Sequence, residues 1–204
     1  MAANNQDVDF NLFQGKNVCL APIDMEKDPA VISRWSHDSS YLRAFQLSAA
    51  KPLSASQARK QLEELEKESD KSGRVYHFTI REVADDRLVG TAQIWWIEWS
   101  SQAGMVHLAI GDPQDRGRGY GGEALRMLLR YAFNELNLFR LSFVVPDYNE
   151  GAQRFFRRAG FVEEARMREA VHRGGRYWDQ VLYGLLRDEW LAQRPGSEGN
   201  DDRE

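Results

Sequence analysis

Apolar positions along the chain change period several times, and each change marks an element. Asp28-Pro29 is a helix-start signal, and Val31, Ile32 and Trp35 then recur at helical spacing, predicting a short helix that ends near His37. Ser54 with Gln57 three residues on has the pattern of a capping box, and Ala58, Leu62 and Leu65 continue it as a narrow apolar stripe that Gly73 should close. Residues 75–83 and 88–99 are rich in β-branched and aromatic side chains and flank Asp85-Asp86-Arg87, which predicts an antiparallel hairpin. A strand over 105–110 follows, then a helix over 121–136 with Leu125, Leu128, Leu129, Ala132, Phe133 and Leu136 on one stripe. A strand over 140–145, a short helix over 149–159 and strands over 161–168 and 177–186 complete the pattern. The chain reads as one mixed α/β domain of the α+β kind over 16–190, with an N-terminal extension over 1–15 and a polar, disordered tail expected over 191–204.

Composition narrows the class. At 204 residues, 42% apolar and 28% charged, the chain has globular values and length for one core. Cys19 is the only cysteine, so an intrachain disulfide and a Cys-based zinc site are excluded, no metal is called for, and a reducing compartment is expected. No apolar run approaches the roughly 20 residues of a membrane helix, and residues 1–10 lack the basic flank and apolar stretch of a signal peptide. A soluble cytoplasmic protein without a membrane partner is the expectation.

The net charge of −4 is unevenly placed. Residues 116–176 hold twelve Arg, no Lys and seven acids, so this stretch is +5 and the rest of the chain −9. Guanidinium groups are planar, permanently charged and suited to phosphate oxygens. A solvated Arg-rich face accounts for the same bias, and a nucleic-acid partner is discounted because these Arg can serve a phosphate-rich small molecule.

The segment Arg116-Gly117-Arg118-Gly119-Tyr120-Gly121-Gly122 opens the 121–136 helix, so free backbone N–H groups, the positive helix end and two Arg converge on one place. A Walker loop would need Lys-Ser or Lys-Thr after the last Gly, where Glu123 stands. Gly117, Gly119 and Gly122 satisfy the dinucleotide pattern G-x-G-x-x-G, but 111–116 intervene after the strand, where that motif puts its first Gly almost directly. A Gly-rich turn without a ligand is the remaining bland account.

A further pattern, Gln/Arg-x-x-Gly-x-Gly/Ala, is met by Arg116, Gly119 and Gly121. A second, Asn-x-x-Ala followed by an aromatic and then Gly-Phe, is met by Asn149, Ala152, Phe156, Gly160 and Phe161. With the C-terminal run from Gly175 to Trp190, these residues make the chain resemble the GNAT N-acetyltransferase superfamily, in the branch of ribosomal-protein N-terminal and spermidine acetyltransferases. The resemblance implies a central, twisted, mostly antiparallel sheet flanked by helices, with a splayed parallel pair formed by strands 105–110 and 140–145. It implies acetyl-CoA as co-substrate. Its pantetheine arm would lie against backbone groups of Leu108, Ala109 and Ile110 and be held by Asn149 and Phe156, and its pyrophosphate would sit on the Arg116, Gly117, Arg118, Gly119, Tyr120 and Gly121 loop. Arg154, Arg157 or Arg158 would face the 3′-phosphate.

The acid and base are less legible. Acetyl transfer to an amine needs a proton acceptor and gains from an acid at the departing thiolate. Where many relatives carry a Tyr for the acid this chain has Phe156, a Ser of the ribosomal-protein branch would fall near Ala152, and the Glu of the central strand aligns with Met105. Glu98, interrupting the run Trp95-Trp96-Ile97-Glu98-Trp99, and His107 are the candidate general bases, with Glu169 and His172 behind them. One or two of these tryptophans could wall a cleft for a cationic amine. The expected function is direct transfer of acetyl to a primary amine in a ternary complex. A peptide α-amine, a polyamine or an aminoglycoside remains open as acceptor, and so does the oligomeric state, a homodimer included. The opposing class is a non-catalytic acyl-CoA-binding regulatory module.

Overall fold

The computed structural model describes residues 11–193. Seven strands form one sheet in the order β1-β2-β3-β4-β5-β7-β6: β1 (Val18–Ala21), β2 (Tyr76–Glu82), β3 (Leu88–Glu98), β4 (Ala103–Ile110), β5 (Arg140–Pro146), β6 (Val162–Arg173) and β7 (Arg176–Leu186). Neighbours run antiparallel except β4 and β5, which are parallel as expected. Six α-helices flank it: α1 (Asp28–Ser36), α2 (Ser39–Phe45), α3 (Ala55–Ser72), α4 (Tyr120–Arg130), α5 (Glu150–Arg158) and α6 (Arg187–Ala192). The predicted helix over 121–136 is α4 continued by a π-helical turn, Tyr131–Glu135. The tail expected from 191 begins inside α6, and from 194 on it lies outside the described residues.

Local chemistry explains most boundaries. The Ser54 and Gln57 side chains cap α3 reciprocally, and Gly73 ends it in the left-handed region at φ 58°. The missed α2 starts at Asp38, whose carboxylate accepts from the N–H of Ser40 at 2.8 Å. On one sheet face Leu125, Leu128 and Phe133 pack with Ile80, Ile94 and Leu141 in the main core. On the other, Trp35, Tyr41 and Leu42 of α1 and α2 cover Leu88 and Ala109. Arg81 of β2 reaches both carboxylate oxygens of Asp28 at 2.7 Å, a buried pair that ties the sheet to α1. Among the described residues no helix is long and apolar enough to cross a membrane.

Candidate active site

The parallel pair is short. β4 and β5 are in register only from Ala103 opposite Arg140 to Met105 opposite Ser142, and beyond Met105 the strands part. The edge of β4 from Val106 to Ala109 therefore faces a gap, the arrangement by which an extended molecule adds to a sheet. A cleft of about 460 Å³ fills the gap, lined by Phe45, His107, Leu108, Val144, Val145 and Phe156 among others.

At the far end of β4, Gly119 stands before α4 at φ 88°, in the left-handed region where a side chain would be strained. The first bond closing the helix runs from the N–H of Glu123 to the Gly119 carbonyl at 3.1 Å, so the N–H groups of Tyr120, Gly121 and Gly122 precede the hydrogen-bonded turn. The loop is braced from below. Arg87 bridges Asp115 and Glu82, each at 2.7 Å, Arg118 reaches Asp115 at 3.3 Å, and the Tyr120 hydroxyl donates to Glu82. The Tyr120 hydroxyl and Arg87 hold the Glu82 carboxyl below its usual range, and Arg87 does the same for Asp115. Arg116 donates to the Ile110 and Gly111 carbonyls at 3.3 and 2.9 Å, joining the loop to the end of β4. Both Arg are thus engaged in shaping the loop, and the anion-binding capacity rests on its backbone. The network was missed because Glu82 and Arg87, five residues apart on the β2–β3 hairpin, are far in sequence from Asp115, and only folding brings the hairpin to the loop.

The remaining expected residues divide. His107 lines the cleft, and its Nε2 lies 2.9 Å from the Phe45 carbonyl. A carbonyl only accepts, so Nε2 carries the proton and Nδ1 keeps the lone pair in the neutral ring. Burial holds the imidazole below its ordinary pKa, against the opposing pull of the Phe45 carbonyl. Glu98 is not among the cleft residues. It is the last residue of β3, opposite Ala103, and its carboxylate accepts from the Ser100 hydroxyl of the β3–β4 turn at 3.0 Å, a bond that lowers its pKa and its basicity. Of the two candidate bases, the structure thus brings His107 to the cleft and leaves Glu98 outside it, its charge already met by Ser100. Asn149 caps α5, accepting from the Ala152 N–H at 3.1 Å and donating to the Ala44 carbonyl at 3.2 Å, so its amide braces α5 against α2. Phe156 is 5% exposed and stacked among aromatic rings at the cleft floor. Of the three Arg on α5, Arg154 pairs with Glu150, Arg157 turns to Gln153, and Arg158 faces a second cavity of about 770 Å³ with Lys16, Arg126 and Arg130.

The family profile described as "Acetyltransferase (GNAT) domain" matches residues 17–162. The chain belongs to the GNAT acetyltransferase family. It is similar to the "Probable N-acetyltransferase YjcK" of Bacillus subtilis, 27% identical over 177 residues, which is 86% of this chain and 97% of that one. Its fold is similar to that of a spermidine N-acetyltransferase from Vibrio cholerae solved in complex with CoA and spermine, at TM-score 0.74 and 21% identity, covering 87% of this chain and 99% of that one. RimL, a ribosomal L7/L12 α-N-protein acetyltransferase solved in complex with coenzyme A, superposes at TM-score 0.75 with 18% identity, covering 86% and 97%. This GNAT chain is an N-acetyltransferase, and the reading as a catalytically silent acyl-CoA module is set aside.

Proposed function

We propose that this protein moves the acetyl group of acetyl-CoA to a primary amine, both substrates meeting in the gap between β4 and β5. The observation that carries the reading is the loss of β4–β5 pairing after Met105, which leaves the β4 edge open beside a helix start stripped of side chains by Gly119 and Gly121. Residues and ligand fit: the backbone of Leu108 to Ile110 matches an arm bearing amides, the N–H groups of Gly119 to Gly121 match a pyrophosphate, and Arg158 with Lys16 and Arg126 offers cations in the adjoining cavity. The coenzyme would supply an activated thioester.

In this reading His107 takes the proton of the amine, supported by its position in the cleft lining and by the Phe45 carbonyl engaging Nε2, which leaves Nδ1 as the acceptor. Burial, which holds its pKa below the ordinary value, favours the neutral ring that can accept a proton. Cys19 offers no acyl-enzyme route: it lies on β1 at the outer sheet edge with β2 and β3 between it and β4, and burial raises its thiol pKa. Attack is therefore direct.

The reading is tested by thiol release from acetyl-CoA with a panel of primary amines, paired with calorimetry of coenzyme A binding. Saturable binding and amine-dependent thiol release are expected. Absence of both would overturn it.

A further inference from the structure

Trp96 is 70% exposed, and its backbone sits in the left-handed region at φ 51°. Neither feature favours stability: a bulky side chain is strained there, and its apolar surface is left in water. The strain has a consequence. In a regular strand Trp95 and Trp96 would point to opposite faces, but a bulge shifts the register between Trp95 and Glu98, and the two indoles lie side by side, centroids 6.1 Å apart and planes at 27°. Both line the cleft.

The wall around them is uncharged. Among the described residues that line the cleft there is no Asp, Glu, Lys or Arg, and its polar side chains are Gln46, His107 and Gln180. Asp179, next to Gln180, is tied to the Glu169 N–H at 3.0 Å and to Arg166 at 3.4 Å. A charged group that does touch the rim is a cation: Arg173 donates to the Leu47 carbonyl and, at 2.7 Å, to that of Ser48. The −9 carried outside residues 116–176 is thus not carried into the cleft.

We propose that Trp95 and Trp96 hold the acceptor, and that the acceptor bears one primary amine beside an aromatic or apolar group. This rests on the acetyl-transfer reading above. An indole face attracts one ammonium on approach and packs an apolar neighbour once the amine is neutral. A polyamine would bring further ammonium groups into a cleft with no carboxylate to meet them and a guanidinium at its rim, where desolvation goes uncompensated.

Phenylalaninamide, leucinamide and spermidine serve as probes, read by thiol release and by quenching of tryptophan emission, which needs no turnover. The two amides are expected to exceed spermidine in kcat/KM by about tenfold or more. Trp96→Ala should raise their KM by roughly tenfold with little change in kcat or coenzyme A affinity, and should remove most of their quenching, with only Trp95 left in the clamp. Trp96→Gly should show the same kinetic loss yet resist denaturant better than the parent, since glycine accepts the positive φ. Spermidine as the preferred acceptor, or an unchanged KM in Trp96→Ala, overturns the proposal while leaving acetyl transfer standing. If no amine releases thiol, the transfer reading fails on its own, and the quenching still decides the clamp: loss in Trp96→Ala supports it and equal quenching refutes it.

Discussion

The ring of Phe156 lies on that of Phe143 with centroids 3.8 Å apart and planes 22° from parallel. Phe155 and Phe161 meet Phe156 edge-on at 5.1 and 5.3 Å, so the position where a hydroxyl acid would be sought belongs to an aromatic stack. A thiol with pKa of about 8.5 leaves readily as thiolate, whereas an amine does not, and protonation of the leaving group adds little. Phe156→Tyr is therefore expected to change kcat by less than about threefold and to lower stability by roughly 1 kcal/mol, through the burial of a hydroxyl among rings. A tenfold gain in thiol release would show that the acid step limits turnover after all.

Gly119 and Gly73 allow a matched comparison. Both have positive φ, 88° and 58°, and a Cβ added at either meets nothing within 4 Å. Alanine at either position thus brings similar backbone strain, about 1 kcal/mol, without a clash inside the protein. Only Gly119 stands at the α4 start. Gly119→Ala should weaken coenzyme A binding by about tenfold in calorimetry, because the methyl group and the altered loop disturb the N–H cradle, while Gly73→Ala leaves it unchanged. Equal affinities in both variants would remove the loop from the binding site.

His107 and Glu98 separate by the same logic of placement. At pH 7 an α-amine of pKa about 8, or a lysine-like one of about 10.4, is mostly protonated, so loss of the true base should hurt most at low pH. His107→Gln is expected to lower kcat by roughly a hundredfold near pH 7 and to recover partly as the amine deprotonates unaided. Glu98→Gln should follow the parental pH profile throughout, since its carboxylate serves the β3–β4 turn. The reverse order of effects would return the role to Glu98.

Local signals made α3 legible: a capping box at one end, a glycine at the other and a stripe between. They failed for α2 because its seven residues are stabilised by Tyr41 and Leu42 packing on Trp35, a contact that no short window displays. The Gly-rich loop could be read as an anion site because backbone N–H groups at a helix start follow from sequence order. The fate of Arg116 and Arg118 could not: Arg116 turns back to the Ile110 and Gly111 carbonyls, and Arg118 shares Asp115 with Arg87, which the hairpin brings to the loop together with Glu82. The place of Glu98 was hidden for a related reason. A carboxylate among tryptophans looks buried until the bulge at Trp96 turns the indoles to one side and leaves the carboxylate at the turn.

Asp28 and Arg81 should reveal the cost of a broken buried pair. Their side chains are almost fully buried and meet through two 2.7 Å bonds. Asp28→Ala takes the buried carboxylate from a guanidinium left with Asp86 alone, its carbonyl at 3.1 Å and its exposed carboxylate at 3.9 Å, for an expected loss of about 3–5 kcal/mol in denaturant unfolding, whereas Asp28→Leu combined with Arg81→Met should restore most of it. A double variant as unstable as the single one would mean that the pair is needed for more than its own charge balance.

His77 is expected to make the stability of this protein acid-sensitive. It lies on β2 opposite Gln93, which in turn lies opposite His107, and neither of its ring nitrogens has a hydrogen-bond partner. Burial first, and the neighbouring His107 second, push its pKa down from about 6.5 to about 4. The folded ring thus stays neutral where the unfolded one is already protonated. Between pH 6.5 and 4 the unfolded chain binds the extra proton, so stability rises with pH through this window and is lost as the solution is acidified, by on the order of 3 kcal/mol in total. His77→Leu removes the titrating ring without leaving an orphaned partner. Urea unfolding at pH 7 and pH 4.5 should therefore show a smaller acid loss for the variant than for the parent, with little difference at pH 7. A parental slope retained in His77→Leu would assign the acid lability to other groups, His107 first, whose pKa burial also lowers.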